Sequence, residues 1–171
     1  MTPDATSAPI DLAAMIRCHQ AGVWRYLRVL GCDAAEADDL TQETFLAVLQ
    51  KPFQDYNPSA TSAYLLTVAR NLLLAARRRA TVTIAVADVE ELDTAWTRWA
   101  ADDGGQTLLA ALEACLQTLA ERSRKALDLR FRDRMSRAGI ANEIGLSEDG
   151  AKNLLQRAKQ HLRECIERKL K

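Results

Sequence analysis

Four polar side chains, two amides and two long cations, lie close together near the C-terminal end of the chain. They are Lys152, Asn153, Gln156 and Arg157. Amides can pair bidentately with adenine, and long cations bind phosphate oxygens. In a helix, Lys152, Asn153 and Gln156 fall within about 100° of one another, and Arg157 lies on the flank. The set predicts a DNA-binding surface in which the amides contact bases and Arg157 holds phosphate.

The stretch ANEIGLSEDGAKNLLQRAKQHL supplies the framework that such a surface needs. Ala141 is small enough to let two helices cross closely, Gly145 permits a left-handed turn, and Ser147 can cap the next helix. The apolar stripe of that second helix is Ala151, Leu155, Ala158 and Leu162. We therefore expect a helix-turn-helix whose second helix faces a major groove. A helical hairpin that only packs is the alternative.

Charge is unevenly distributed along a chain whose formal net charge is zero. Residues 1–50, 51–80, 81–107 and 108–171 carry net charges of -4, +4, -5 and +5 in turn. Two basic segments separated by an acidic one favour two polyanion-binding surfaces joined by a linker that does not bind polyanions. Solvated faces of ordinary helices would give the same charges.

Composition and periodicity predict an all-α fold of two small helical domains. Residues 1–80 should form an N-terminal helix bundle from helices at 11–30, 34–50 and 61–79. Residues 81–107 read as an acidic linker with a short helix around 89–100. In this helix Trp96 and Trp99 are expected to pack on a neighbouring domain or on each other, and a ligand site is the alternative. Residues 108–171 should form the helix-turn-helix domain, with helices at 107–119, 121–132, 136–144 and 148–169.

The four cysteines form no Cys-x-x-Cys pair and read as small buried residues in a protein that folds without metal or disulfides. His161 and Cys165 share a helix face and could hold a metal, but no further ligands are evident. The chain has no apolar run long enough for a membrane span and no basic-then-apolar leader, which predicts a cytoplasmic protein without membrane insertion.

Two N-terminal motifs add a family resemblance to these inferences. The runs DDLTQETF and YLLTVARN, followed by the helix-turn-helix, resemble regions 2 and 4 of the small two-domain extracytoplasmic-function (ECF) sigma factors of bacterial RNA polymerase. The resemblance covers most of the chain. Tyr64 stands where this family usually has Trp, and Leu154 stands where Arg is common.

The resemblance assigns two further sets of contacts. The set for core polymerase is Asp39, Gln42 and Glu43. The set for the -10 element is Tyr64, Arg70, Asn71, Arg77 and Arg78, while Lys152, Asn153, Gln156 and Arg157 would read the -35 element. Arg70 and Arg77 share a helix face that can hold phosphates, and Tyr64 or Tyr56 can stack on an extruded base. A purely structural bundle helix and a basic helix C-terminus that complements the dipole are the alternatives for these two sets.

The implied function is that of a sigma factor, which binds core RNA polymerase and directs promoter-specific initiation by recognising the -35 and -10 elements and assisting strand opening. Its partners would be core polymerase and promoter DNA, and the sequence leaves open whether an anti-sigma factor binds. No catalytic residues, metal or cofactor are expected, because no set of residues suited to catalysis is evident. The alternatives are a helix-turn-helix regulator that acts without polymerase docking and a polymerase-binding protein that has lost promoter recognition.

Overall fold

The chain folds into helices joined by short connections. The computed structural model describes residues 11–51, 57–80, 86–100 and 103–171, and within these ranges every regular element is an α-helix. The helices are α1 Leu12–Val29, α2 Ala34–Leu49, α3 Pro58–Arg79, α4 Val86–Trp99, α5 Gln106–Leu116, α6 Glu121–Phe131, α7 Arg137–Ile144 and α8 Glu148–Leu170. The predicted all-α class is confirmed. In the described part of the chain, no helix combines the length and apolar character that a membrane span requires.

Side-chain caps fix where the N-terminal helices begin. Asp33 accepts a hydrogen bond from the Glu36 backbone N–H at 2.8 Å, which starts α2 at the predicted residue. Asn57 caps α3 in the same way through the Ala60 N–H at 2.8 Å. Helix α3 begins three residues before the predicted start, because Pro58 is accommodated in its first turn, where no backbone donor is needed.

Helices α1, α2 and α3 pack against one another as the predicted three-helix bundle. Leu27, Leu65 and Ala69 are fully buried at its centre, and Phe45 and Leu73 fill the space around them. Each of these side chains lies on the inward stripe of its own helix, so burial of apolar surface holds the three helices together.

Helix α4 docks on this bundle. Trp96 is 8% exposed, and its ring meets that of Tyr26 edge-on with centroids 5.2 Å apart. The Tyr26 hydroxyl donates a hydrogen bond to Asp93 Oδ1 at 2.6 Å. A Cβ at Gly105, which has φ 77°, would lie 2.2 Å from the Trp96 ring, so a side chain there would collide with it. The short helix expected in the linker is confirmed, as is the packing of Trp96 on the neighbouring bundle.

The C-terminal helices contribute to two apolar clusters. Helices α6, α7 and α8 enclose a small one whose buried members are Ala126, Leu129, Ile140, Ala141 and Ala151. Helix α5 and the C-terminal half of α8 instead join the large cluster of the bundle through Leu108, Cys115, Cys165 and Ile166. The apolar core is therefore continuous from the bundle through α4 to α5 and α8.

A disulfide links Cys115 of α5 to Cys165 of α8, with Cα atoms 5.9 Å apart. The expectation of a fold without disulfides is wrong for this pair, although both residues are buried as predicted. Cys32 is buried as well, but Cys18 is exposed, so the predicted burial is wrong for that residue. The pairing had no sequence signal, because 50 residues separate the partners and only the packing of α5 on α8 brings them together. The alternative of a metal on His161 and Cys165 is also wrong, since the Cys165 sulfur is bonded to Cys115 and the His161 Nε2 lies 3.1 Å from the Thr118 hydroxyl.

Candidate nucleic-acid interface

Helices α7 and α8 form the predicted helix-turn-helix. Ser136 caps α7, and Gly145 ends it in the left-handed conformation with φ 67° and ψ 45°. The Leu146 N–H then donates to the Ala141 carbonyl at 2.8 Å, and Ser147 Oγ accepts from the Gly150 N–H at 3.0 Å to start α8. These turn contacts fix the direction in which α8 leaves the turn.

The turn is also held from the side by α6. Arg122 Nη2 donates to the Ile144 carbonyl at 2.7 Å, which occupies an acceptor at the end of α7. Ala141 and Ala151 are buried where α7 and α8 meet, and their small side chains let the helix axes approach closely. Helix α8 is therefore held in position by contacts with both α6 and α7.

The four residues assigned to the -35 element lie on the exposed side of the first turns of α8. They are Lys152, Asn153, Gln156 and Arg157, and all four are exposed. Leu154 lies away from this surface and packs against the small helix-turn-helix cluster. A leucine at this position, where the family commonly has Arg, therefore adds apolar packing. The four exposed residues are unaffected.

The residues assigned to the -10 element separate into two faces of α3. Arg77 is 3% exposed, and its Nη2 lies 3.0 Å from Glu36 Oε2 and 3.9 Å from Cys32 Sγ. Arg70, on the same face, is half-buried with its Nε 4.0 Å from Asp93 Oδ2. The shared face of Arg70 and Arg77 was predicted correctly, but it turns towards α2 and α4. Arg77 in this arrangement is an interior ion-pair partner and is not presented to DNA.

The other face of α3 carries the remaining members of the set. Tyr64, Asn71 and Arg78 are spaced by seven residues, so they lie along one line of the helix surface. Asn71 and Arg78 are exposed, and Tyr64 is half-buried. Tyr56, the second tyrosine considered for stacking, lies outside the described residues, together with most of the loop before α3. An amide, a cation and an aromatic ring in one line suit a single strand that passes along the helix.

Glu36 is a structural residue that the sequence reasoning missed. Its Oε2 lies 3.0 Å from Arg77 Nη2, and its Oε1 lies 2.6 Å from Arg134 Nη2. Arg134 follows α6 and is the one non-glycine residue with positive φ, at 59°, among those that the structure describes. One carboxylate thus ties α3 to the segment before the helix-turn-helix. Local pattern could not reveal this, because its partners are 41 and 98 residues away.

The three residues assigned to polymerase docking form an exposed patch on α2. They are Asp39, Gln42 and Glu43. Leu46 and Leu49 continue the same helix face and are more than half exposed. This face of α2 therefore offers both polar groups and about two side chains of apolar area, a combination that a partner surface can bind.

Comparison with known proteins identifies the family. The model of sigma-70 region 2 matches residues 15–83, and that of sigma-70 region 4 matches residues 109–162. The ECF RNA polymerase sigma factor SigL of Mycobacterium tuberculosis is 32% identical over 161 residues, which cover 91% of this chain and 90% of the relative. The chain belongs to the ECF sigma factors.

Further relatives of this sigma factor have similar identities. SigE of Mycolicibacterium smegmatis is 29% identical over 95% of this chain and 65% of the relative. BldN of Streptomyces coelicolor is 31% identical over 84% of this chain and 56% of the relative. A solved RsbN-BldN complex includes a chain that is 25% identical, with coverage of 90% and 89% and a TM-score of 0.31.

The two family models cover different helices of the sigma factor. Region 2 contains α2 with its exposed patch and α3 with the line of Tyr64, Asn71 and Arg78. Region 4 contains α6, α7 and most of α8. Helix α4 lies between the two matched ranges. Its packing and its ion pairs are therefore features of this chain that the family models do not describe.

Proposed function

We propose that this sigma factor binds core RNA polymerase through α2 and directs initiation at promoters that α8 and α3 recognise. The chain supplies binding and strand opening, and the polymerase supplies catalysis. The proposed place of action is the cytoplasm, where core polymerase meets chromosomal DNA. The observation that carries the proposal is the capped helix-turn-helix, which holds an exposed row of amides and cations on α8.

For the -35 element, the proposed readers are the amides of Asn153 and Gln156. Both are exposed and lie near the N-terminal end of α8, the end that usually enters the major groove. Each amide can donate to and accept from one adenine, so each would specify one base pair. Lys152 and Arg157 are the proposed phosphate contacts beside them, which fix register and contribute affinity.

For the -10 element, the proposed contacts are Tyr64, Asn71 and Arg78. The tyrosine ring can stack on a base that has left the duplex, and the amide and the guanidinium can hold the strand beyond it. The proposal assigns Arg70 and Arg77 the task of holding α3 against α4 and α2, through Asp93 and Glu36.

For polymerase docking, the proposed surface is the exposed patch of α2 with its two leucines. A carboxylate and amide cluster can bind a basic partner surface, and Leu46 and Leu49 can bury apolar area beside it. The patch lies on the opposite side of α2 from its buried residues Leu40 and Val48, so docking would leave the bundle core undisturbed.

The test is transcription from fragmented genomic DNA by purified core polymerase, with and without this chain. The proposal predicts start sites that occur only when the chain is present. The variant Asp39→Ala/Gln42→Ala/Glu43→Ala should lose these starts and still bind duplex DNA. If the wild-type chain adds no start sites, the proposed function is wrong.

A further inference from the structure

An acidic edge of α4 lies against the basic side of α8. Asp88 Oδ2 accepts hydrogen bonds from Arg130 Nε at 3.0 Å and Nη2 at 2.7 Å. Lys159 Nζ lies 2.7 Å from Glu91 Oε2 and 3.8 Å from Asp88 Oδ1, and Arg163 Nη2 lies 3.1 Å from Glu91 Oε1. Two carboxylates thus form ion pairs with three cations of the C-terminal helices.

Two of these cations lie on the side of α8 that is proposed to bind DNA. Lys152, Gln156, Lys159 and Arg163 follow one another at spacings of four, three and four residues, which places them within about 60° on the helix. Glu91 borders the same cleft as Gln156 and Arg157. The carboxylates of α4 therefore pair with the cations in the C-terminal half of a stripe whose N-terminal half carries the proposed reading residues.

The acidic edge is held in place by its own helix. Val89 and Trp96 are buried against the bundle, and Asp93 accepts the Tyr26 hydroxyl, so α4 is fixed on three of its turns. The Asp88 side chain is only 15% exposed. The helix that carries the two carboxylates is thus already fixed, so pairing with α8 orders only their side chains.

We propose that Asp88 and Glu91 act as an internal competitor of DNA phosphate for α8. In the free sigma factor they occupy Lys159 and Arg163, and a DNA backbone must displace them to contact the whole stripe. The inference rests on the proposed function, in which α8 is the DNA-binding helix. It predicts weak DNA binding by the free chain and stronger binding when α8 moves away from α4.

The test measures the affinity of the full chain for a fluorescein-labelled DNA duplex of arbitrary sequence by fluorescence anisotropy. The variant Asp88→Asn/Glu91→Gln should bind about tenfold more tightly than wild type, because each part-exposed ion pair that it removes contributes roughly a factor of two to five. The slope of log affinity against log salt should steepen by about one to two, since Lys159 and Arg163 then both contact phosphate.

The matched control is Glu90→Gln/Glu113→Gln, which changes net charge by the same amount at two exposed carboxylates outside these ion pairs. The affinity of this control for the duplex should rise by less than about twofold, because only long-range charge has changed. Equal gains in the two variants, or no gain in the first, would overturn the proposal. If the double variant does not fold, Glu91→Gln alone should bind about fivefold more tightly, since it removes two of the pairs.

The transcription assay with core polymerase separates this inference from the proposed function. If the wild-type chain adds no start sites, the proposed function fails whatever the anisotropy shows. If starts occur but the double variant binds duplex DNA no better than the control variant, only the competitor role of α4 is lost.

Discussion

Removal of the Glu36 carboxylate should leave Arg77 charged and unpaired inside the protein. The Arg77 side chain is 4% exposed, and its Nε and Nη1 have no hydrogen-bond partner among the described residues. With about 4 Å between the charge centres, the attraction is about 4 kcal/mol at an effective dielectric constant of roughly 20. Because Gln keeps a neutral acceptor near the guanidinium, we expect Glu36→Gln to lower the free energy of unfolding by about 3 kcal/mol.

Urea unfolding followed by far-UV circular dichroism measures this loss. With an m-value of about 2 kcal/mol/M, the midpoint should fall by about 1.5 M. The control Glu43→Gln removes an exposed carboxylate of the same helix and should change stability by less than about 0.5 kcal/mol. The pair Glu36→Gln/Arg77→Met should recover most of the loss, because an apolar side chain needs no counter-ion. A loss below about 0.5 kcal/mol for Glu36→Gln would refute the assignment of Arg77 to an interior ion pair.

Three further predictions concern other parts of the chain. Replacement of both linked cysteines, Cys115→Ala/Cys165→Ala, should lower the free energy of unfolding by up to about 4 kcal/mol, since the disulfide closes a loop of 50 residues; equal urea midpoints under non-reducing conditions would contradict this. Substitution by Ala of the three polar residues of the α2 patch should abolish co-purification with core polymerase at an unchanged urea midpoint; retention at the wild-type level would refute the docking site. Arg157→Ala should weaken binding to all DNA sequences alike and reduce the salt slope by about one; a change confined to one base pair would instead make Arg157 a base reader.

The helices were predictable because their signals are local. Asp33 and Ser147 cap α2 and α8 at the expected places, and Gly145 adopts the left-handed turn that the sequence implied. Periodic apolar residues also identified the exposed side of α8, since a 3.6-residue period specifies which side chains share a face. The same reasoning found the helix in the acidic linker, which begins at Val86 and so extends three residues further than predicted at its start.

The direction in which each face points was not predictable. Periodicity placed Arg70 and Arg77 on one face, but the partners that turn this face inward, Asp93 and Glu36, lie on other helices. The disulfide between Cys115 and Cys165 depends likewise on the packing of α5 against α8. Such contacts depend on how the helices pack on one another, and a local sequence pattern does not reveal that packing. For the same reason, the sequence alone suggests that the acidic linker is only a spacer. In the structure its carboxylates pair with cations on α6 and α8.

The most direct test of the central claim, that α8 chooses the promoter, is a library of promoters randomised in the -35 element and transcribed by core polymerase with this chain. Asn153→Ala and Gln156→Ala should each relax the preference at one base pair, with a loss of about 1 to 3 kcal/mol in discrimination there and unchanged preferences elsewhere. If both variants keep the wild-type -35 preferences, α8 does not read bases in this sigma factor, and promoter choice resides in the N-terminal bundle.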